Sequence, residues 1–410
     1  MSFFGAARPR LTLSLLMLAC GSFVSAENPH NAKTQQAFKT MVVVGDSLSA
    51  GFQNFSLFDS SSVPGLPSGG QKQGYTAIVA NQAGAALPQA LISYPGIPPA
   101  LTLNSMGQLS RGTTTGSREN NNQQAYNLSV PGFTVADALA HPFVFPPTNA
   151  IDAMADSVLA TPGVTPGCGV IPTTSGLILS EVVCASALQP SIIFVSIGNN
   201  DALQSVTLGI PPTDLPTFAG QFATLIGTLS RTGAKLVVAN VPDVSVVPFL
   251  IPVPAFQAAC GLTISPPLPG SVTSLDYVVL DITNPNPTAV NVCTNYAVRT
   301  KALVDSAQGA VVGYNVIIEA LTLLYRGVVV DVNGLLVQIA QKGYNAGGHK
   351  LTTAFGGGIF SLDGIHPTNT GYAILANEFI KEINRGFGTD VPPVSVEHVA
   401  ATDPLVPPKH

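Results

Sequence analysis

The chain has 410 residues, 46% of them hydrophobic and only 10% charged, with a net charge of −5. An average soluble domain carries roughly 25% charged residues, and with no basic block in the sequence nucleic acid is excluded as a partner. The 39 glycines, 34 prolines and absent tryptophan predict many turns and long irregular connections, while the low charge suits an apolar substrate or surface as well as an exported protein rich in uncharged polar residues.

The first residues read as a targeting segment. Arg8 and Arg10 supply positive charge, Leu11 to Leu18 a short apolar core, and Val24-Ser25-Ala26 a small-residue cleavage site before Glu27. Residues 1–26 are therefore expected to be a signal peptide, and the protein secreted, periplasmic or in the cell envelope. A second reading takes Leu16-Met17-Leu18-Ala19-Cys20 as a lipobox, with Cys20 acylated and anchoring a lipoprotein. No later stretch reads as long and apolar enough to span a bilayer. Without Cys20 four cysteines remain, an even count that predicts disulfides in an exported chain. Four cysteines allow three pairings, and proximity favours Cys168–Cys184 and Cys260–Cys293. No Cys-x-x-Cys spacing or nearby histidine points to metal, and no cofactor is expected.

Residues 27–40 form a polar lead-in. Met41 to Val44 is a β-branched run, read as a buried parallel strand, and it ends in Gly45-Asp46-Ser47. Residues 52–122 are long and irregular, with short helical pieces expected at Tyr75 to Gln82 and Gln89 to Ile92; so long a loop is expected to be a functional wall or lid. Ala125 to Val130 reads as a second strand, and Phe133 to Leu139 as a helix capped near Thr134. A second insertion, 142–188, holds the first proposed disulfide. Ser191 to Ile197 is the clearest strand, followed by a helix over Thr217 to Arg231 and a strand over Lys235 to Asn240. This strand–helix–strand spacing is a βαβ unit with a parallel sheet. A third insertion, 244–295, is Pro-rich. Tyr296 to Tyr325 is helical but interrupted by Gly309 and Gly313, hence two helices. Val328 to Val332 is the last sheet strand, and Thr368 to Arg385 an amphipathic helix. The Pro/Val-rich tail, 387–410, is expected to be poorly ordered. The expected organisation is one domain over 41–386 with three insertions.

Candidate chemistry stands at the ends of successive strands, where ligands bind in open α/β sheets. Ser47 follows the first strand, Gly132 the second and Asn200 the third, while Asp363 and His366 share a turn before the last helix. A serine nucleophile needs a base, a group that orients the base, and donors for the oxyanion. Histidine suits general-base work near neutrality. A carboxylate three residues earlier in a turn is placed to bond the ring. Phe52, Phe55 and Leu57, just past the serine, are candidates for a substrate-binding acyl wall. Each residue also has an ordinary reading, as turn glycine, Asx-turn, loop asparagine or core side chain.

Taken together, these residues resemble the GDSL, or SGNH, family of lipases and esterases. Val44-Gly45-Asp46-Ser47-Leu48 matches the first block of that family, and Asn127 to Gly132 the second. Gly198-Asn199-Asn200-Asp201 matches the third, and Asp363-Gly364-Ile365-His366-Pro367 the last. The blocks occur in the family's order and span residues 41 to 385. The resemblance implies a three-layer α/β/α, flavodoxin-like fold with a parallel sheet of about five strands. It implies Ser47 as nucleophile, His366 as base and Asp363 as its orienting acid. The oxyanion hole would be Ser47 N–H, Gly132 N–H and the Asn200 side chain, with Asp46 and Asp201 holding turns. The expected activity is hydrolysis of a carboxylic or lipid ester through an acyl-enzyme, with possible transient contact with a lipid surface and no obligate protein partner. The rivals are carbohydrate O-acetyl esterase, acyltransferase and a non-catalytic binding protein.

Overall fold

The computed structural model describes residues 30–409 except 62, 64–67, 106, 161–167, 263–272, 274 and 282–289. The expected signal peptide and Cys20 lie outside the described residues. Four parallel strands form the central sheet: β1 (Met41–Gly45), β2 (Ile192–Ser196), β3 (Lys235–Ala239) and β4 (Val328–Val330), in that spatial order. Met41 pairs with Ile192, Ile192 with Lys235 and Val237 with Val328. Every residue of β1 and β2 is buried. That is why they read as unbroken apolar runs: a parallel sheet is covered on both faces.

Helices α3 (Tyr75–Gln82) and α12 (Asn369–Phe387) pack together, and α12 lies against the sheet. On that side Phe379 stacks between Tyr75 and Phe194, at centroid distances of 4.3 and 5.6 Å. The other layer contains α6 (Glu181–Ala187), α8 (Leu215–Ser230) and α10 (Lys301–Leu324), with Phe218 stacked on Tyr314 at 3.9 Å. The three-layer α/β/α sandwich is therefore as expected, with one correction to the sheet. The segment 126–130 runs beside β1, where Leu128 N–H donates to Val43 O and Val130 N–H to Gly45 O. Only Asn127 makes a ladder bridge there. Its side-chain oxygen accepts from Ser129 N–H two residues on, a local bond that competes with strand geometry. Four regular strands and this edge segment take the place of five.

Other expectations also change. Gln89 to Ile92 is extended, with isolated bridges to Asn127 and Arg118. The segment 296–325 is a short strand, Tyr296–Arg299, followed by one unbroken helix, α10. Its Gly313 is no break: a Cβ there would lie 2.4 Å from Leu215 Cδ2, so glycine allows the start of α8 to approach. By length and composition α10 could cross a bilayer, contrary to the sequence reading. Its buried face, including Val304, Val311, Tyr314 and Ile318, packs on neighbouring helices and the sheet. A further helix, α11 (Val332–Lys342), follows β4 where none was expected.

The tail is ordered. Helix α13 (Val396–Thr402) packs on α12, and Asp403 accepts from Thr370 N–H and Oγ1, both at 2.8 Å. Asp390 reaches the lead-in helix α1 (Ala32–Ala37), accepting from Asn31 N–H at 2.9 Å and Thr34 Oγ1 at 2.6 Å. Both proposed disulfides are present, Cys168–Cys184 and Cys260–Cys293, the mark of an oxidising extracellular or periplasmic setting.

Candidate active site

β1 ends at Gly45, where a Cβ would lie 2.6 Å from Ser196 O, so only glycine fits under β2. Asp46 then caps the single-turn helix α2 (Ser47–Ala50), accepting from Leu48 N–H at 3.1 Å. This cap turns the chain sharply and presents Ser47 at the carboxyl edge of the sheet. Asp46 also accepts from Asn199 Nδ2 at 2.7 Å. Burial pushes its carboxyl up to about 7, against the pull of the Asn199 and Leu48 hydrogen bonds and the His366 charge. Asp46 is thus a buried scaffold, as is Asp201, which accepts from Val135 N–H at 3.0 Å.

His366 and Asp363 face each other across one turn, with Nδ1 to Oδ2 at 3.0 Å, and both are buried. Asp363 Oδ1 accepts from the N–H groups of Ile365 and His366 at 2.8 Å, and Oδ2 from Phe55 N–H at 2.7 Å. Burial raises this carboxyl, but the His366 charge and these hydrogen bonds outweigh it and hold Asp363 below the ordinary carboxylate range. The carboxylate is therefore charged and fixed, the state that orients a histidine and supports its imidazolium. The loop after α2 is stitched to the same turn. Asn54 Oδ1 accepts from Leu362 N–H at 3.0 Å, and Asn54 and Phe55 both hold left-handed backbone, with φ of 52° and 56°. Non-glycine residues in that region carry strain of order 1–3 kcal/mol each and cluster at functional sites.

Ser47, Gly132, Asn200 and His366 line one trough of about 1320 Å³, beside Phe52, Phe55, Arg111, Thr134 and Gln204. Gly132 has φ +90°, and a Cβ there would strike Ile151 of the second insertion at 2.8 Å. Asn200 donates one side-chain N–H to Phe133 O at 2.8 Å, which fixes the amide; the group carries a second N–H. The structure thus gathers the five residues expected to react. Of the expected acyl wall, Phe52 packs edge-on to His366 at 4.8 Å and Phe55 lines the trough. Leu57 lines no cavity around Ser47; it is fully buried in the core and pairs with Ile97.

One residue escaped the sequence reading. Glu181, at the start of α6 in the second insertion, is fully buried. Its carboxyl accepts from Gly45 N–H at 2.7 Å and Val130 N–H at 3.1 Å. It therefore ties the strand before Ser47 to the loop before Gly132. Burial raises its pKa well above the ordinary range, the two N–H groups opposing, with Asp46 and Asp137 adding repulsion. In sequence, Ser180-Glu181 looks only like an acidic first turn of a helix.

In sequence, residues 41–379 match the family of GDSL-like lipases and acylhydrolases. No curated protein matches the chain. Among solved structures, an alpha/beta hydrolase enzyme from the metagenome of Lake Arreo, Spain, is 14% identical, over 85% of this chain and 94% of that one, with a TM-score of 0.36. An acetylxylan esterase from Geobacillus stearothermophilus is 13% identical, over 84% and 93%, at 0.37. A GDSL-like lipase from Parabacteroides merdae is 11% identical, over 85% and 94%, at 0.34. At these identities and scores the neighbours carry no argument about substrate.

Proposed function

The chain belongs to the GDSL-like lipase/acylhydrolase family and is a carboxylic ester hydrolase, and from that premise we propose that Ser47 is its nucleophile, His366 its base and Asp363 the acid that orients the base. Ser47 Oγ attacks the ester carbonyl carbon while His366 Nε2 takes its proton. The oxyanion is held by Ser47 N–H, Gly132 N–H and Asn200 Nδ2. The tetrahedral adduct collapses, the C–O bond to the alcohol breaks, and His366 returns the proton to the departing oxygen. Water then attacks the acyl-enzyme, giving its proton to His366, which passes it to Ser47 Oγ as the acid leaves. The observation that carries this reading is the buried, 3.0 Å His366–Asp363 pair opening on the trough that Ser47, Gly132 and Asn200 share.

Export under a signal peptide over 1–26, with Cys20 acylation as its rival, belongs to the same reading and is supported by the two disulfides. Transient contact with a lipid surface is supported by the exposed apolar side chains Val312, Val316, Leu323 and Leu324 on α10.

Hydrolysis of p-nitrophenyl esters by wild type and Ser47→Ala tests the assignment. Loss of a triad member lowers kcat by about three orders of magnitude or more. Equal hydrolysis by both proteins would remove Ser47 from the mechanism. Activity confined to acetyl esters of carbohydrates, or product formed only with an added alcohol, would move the reading to O-deacetylation or acyl transfer.

A further inference from the structure

A second space meets Ser47, one that neither Gly132 nor Asn200 lines. It has Ser47 and His366 in its lining together with α11, α12 and the turn after β3. Its walls include Leu48, Val244, Val247, Leu335, Ile339 and Ile374. Apart from Ser47 and His366 its only polar side chains are Asn199 and Asp243. Both are engaged: Asn199 donates to Asp46, and Asp243 accepts from Ser245 N–H at 2.8 Å and from Gln308. Two side chains already bonded elsewhere are thus the slot's polar lining beyond Ser47 and His366, sparse for recognising a sugar or a charged headgroup.

The trough differs in kind. Among apolar side chains such as Phe55 and Ile151 it carries the two donors Gly132 and Asn200 and the polar Arg111, Thr134 and Gln204. An ester carbon held at Ser47 Oγ has three other substituents to place. The oxyanion belongs with its donors, on the trough side. The mixed lining of the trough has room and partners for the alcohol part, and the slot, with far fewer polar groups, suits a hydrocarbon. We propose that the slot is the acyl site, that it takes an unbranched alkyl chain of medium length or longer, and that Leu335 and Leu336 of α11 set the chain-length limit. This moves the acyl wall from Phe52, Phe55 and Leu57 to a helix that follows β4. The inference rests on the assignment of Ser47 as nucleophile.

Each methylene buried is worth about 0.8 kcal/mol, or about fourfold in kcat/KM when the gain persists in the transition state. The experiment measures kcat/KM on two ester series. One varies the acyl group from acetyl to palmitoyl on p-nitrophenol; the other keeps acetyl and lengthens an n-alkyl alcohol. Wild type should gain up to about fourfold per methylene in the acyl series until the slot is full, and little in the alcohol series. Leu336→Trp, a half-buried position lining the slot, should lose about 100-fold on decanoyl ester while its acetyl rate stays within about twofold. Leu335→Trp repeats the test from the adjoining position. A gain in the alcohol series alone, a wild-type maximum at acetyl, or an unchanged profile in both tryptophan variants overturns the slot assignment and leaves ester hydrolysis standing. The two wild-type series decide even where a variant does not fold. No Ser47-dependent turnover of any ester would instead overturn the nucleophile assignment.

Discussion

Cys168–Cys184 closes a loop within the second insertion that is fused to the main core, whereas Cys260–Cys293 closes one in the third that has a small core of its own. Cys184 is fully buried beside the sheet, in the same helix as Glu181, and that helix packs on β1. The third insertion gathers Val253, Phe256 and Val278 into a separate cluster. It joins the rest partly through Arg299, which donates to Val206 O at 2.7 Å and Thr207 O at 2.6 Å. The disulfides span 16 and 33 residues, for which chain entropy gives about 3 and about 4 kcal/mol. Loop length therefore favours the second bridge slightly. Anchorage decides otherwise: Cys184 sits in the helix that packs on β1, whereas the second loop reaches the main core through Val279 and its neighbours, farther from the nucleophile in the fold's connectivity, so loss of the first bridge reaches the site.

The largest effect expected on that contrast comes from Glu181. Glu181→Leu leaves Gly45 N–H without its side-chain acceptor and removes one of the two acceptors of Val130 N–H, at a fully buried position. Each orphaned group costs roughly 1–3 kcal/mol, so a loss of about 2–5 kcal/mol should appear in urea unfolding, with kcat falling too. Glu181→Gln keeps one acceptor and should recover part of both. Unchanged kcat and stability in the leucine variant would show that the carboxyl ties nothing together.

Removing each disulfide by paired Cys→Ser substitution comes next. Loss of Cys168–Cys184 should lower global stability by about 3 kcal/mol and reduce ester hydrolysis. Loss of Cys260–Cys293 should leave the hydrolysis rate within about twofold and show itself as faster proteolysis confined to 251–299. Equal effects of the two on hydrolysis would erase the distinction between the insertions.

The smallest effect is one of pH. In the second insertion His141 Nδ1 lies 3.1 Å from Asp137 and Nε2 3.3 Å from Asp152. The Asp137 hydrogen bond, opposed by burial and aided by the Asp137 charge and by Asp152, raises the His141 pKa above the ordinary histidine value. A raised folded pKa means that the stabilisation is complete below the unfolded value and is lost as pH rises through the folded one. Hydrogen-exchange protection of α4 (Val135–Leu139) and α5 (Ala150–Ala155) should therefore weaken slightly toward alkaline pH, and 277–280 should not follow. His141→Gln should abolish the trend; a profile identical to wild type would assign it to other groups.

Much of this was legible in the sequence for a physical reason. Buried parallel strands cannot alternate polar and apolar residues, so β1 and β2 announce themselves, and a sheet of this kind puts its chemistry just past the strand ends. Ser47, Gly132, Asn200, Asp363 and His366 are visible because each stands at such a punctuation point. What stayed hidden depends on partners distant in the chain. Gly313 looks like a helix break until Leu215 is seen against it. Ala125 to Val130 has strand composition, but the Asn127 side chain takes a backbone bond for itself. The tail reads as loose because its anchors, Thr34 and Thr370, lie in other elements. The slot next to Ser47 is walled mostly by residues far along the chain, from Val244 to Leu375, and proximity in sequence pointed to Leu57 instead.

The clasp between Asp390 and the lead-in helix has a topological consequence. Because Asn31 and Asp390 touch, the domain is nearly a closed ring, and the point at which synthesis opens it is arbitrary with respect to its architecture. A circular permutant that keeps the ordered tail, links its end back to Asn31 and is opened in the exposed loop at 112–115 would keep every strand pairing of the sheet. Asp363 and His366 would then precede Ser47 in the chain while facing it across the same crevice, since a triad is defined by geometry and not by order.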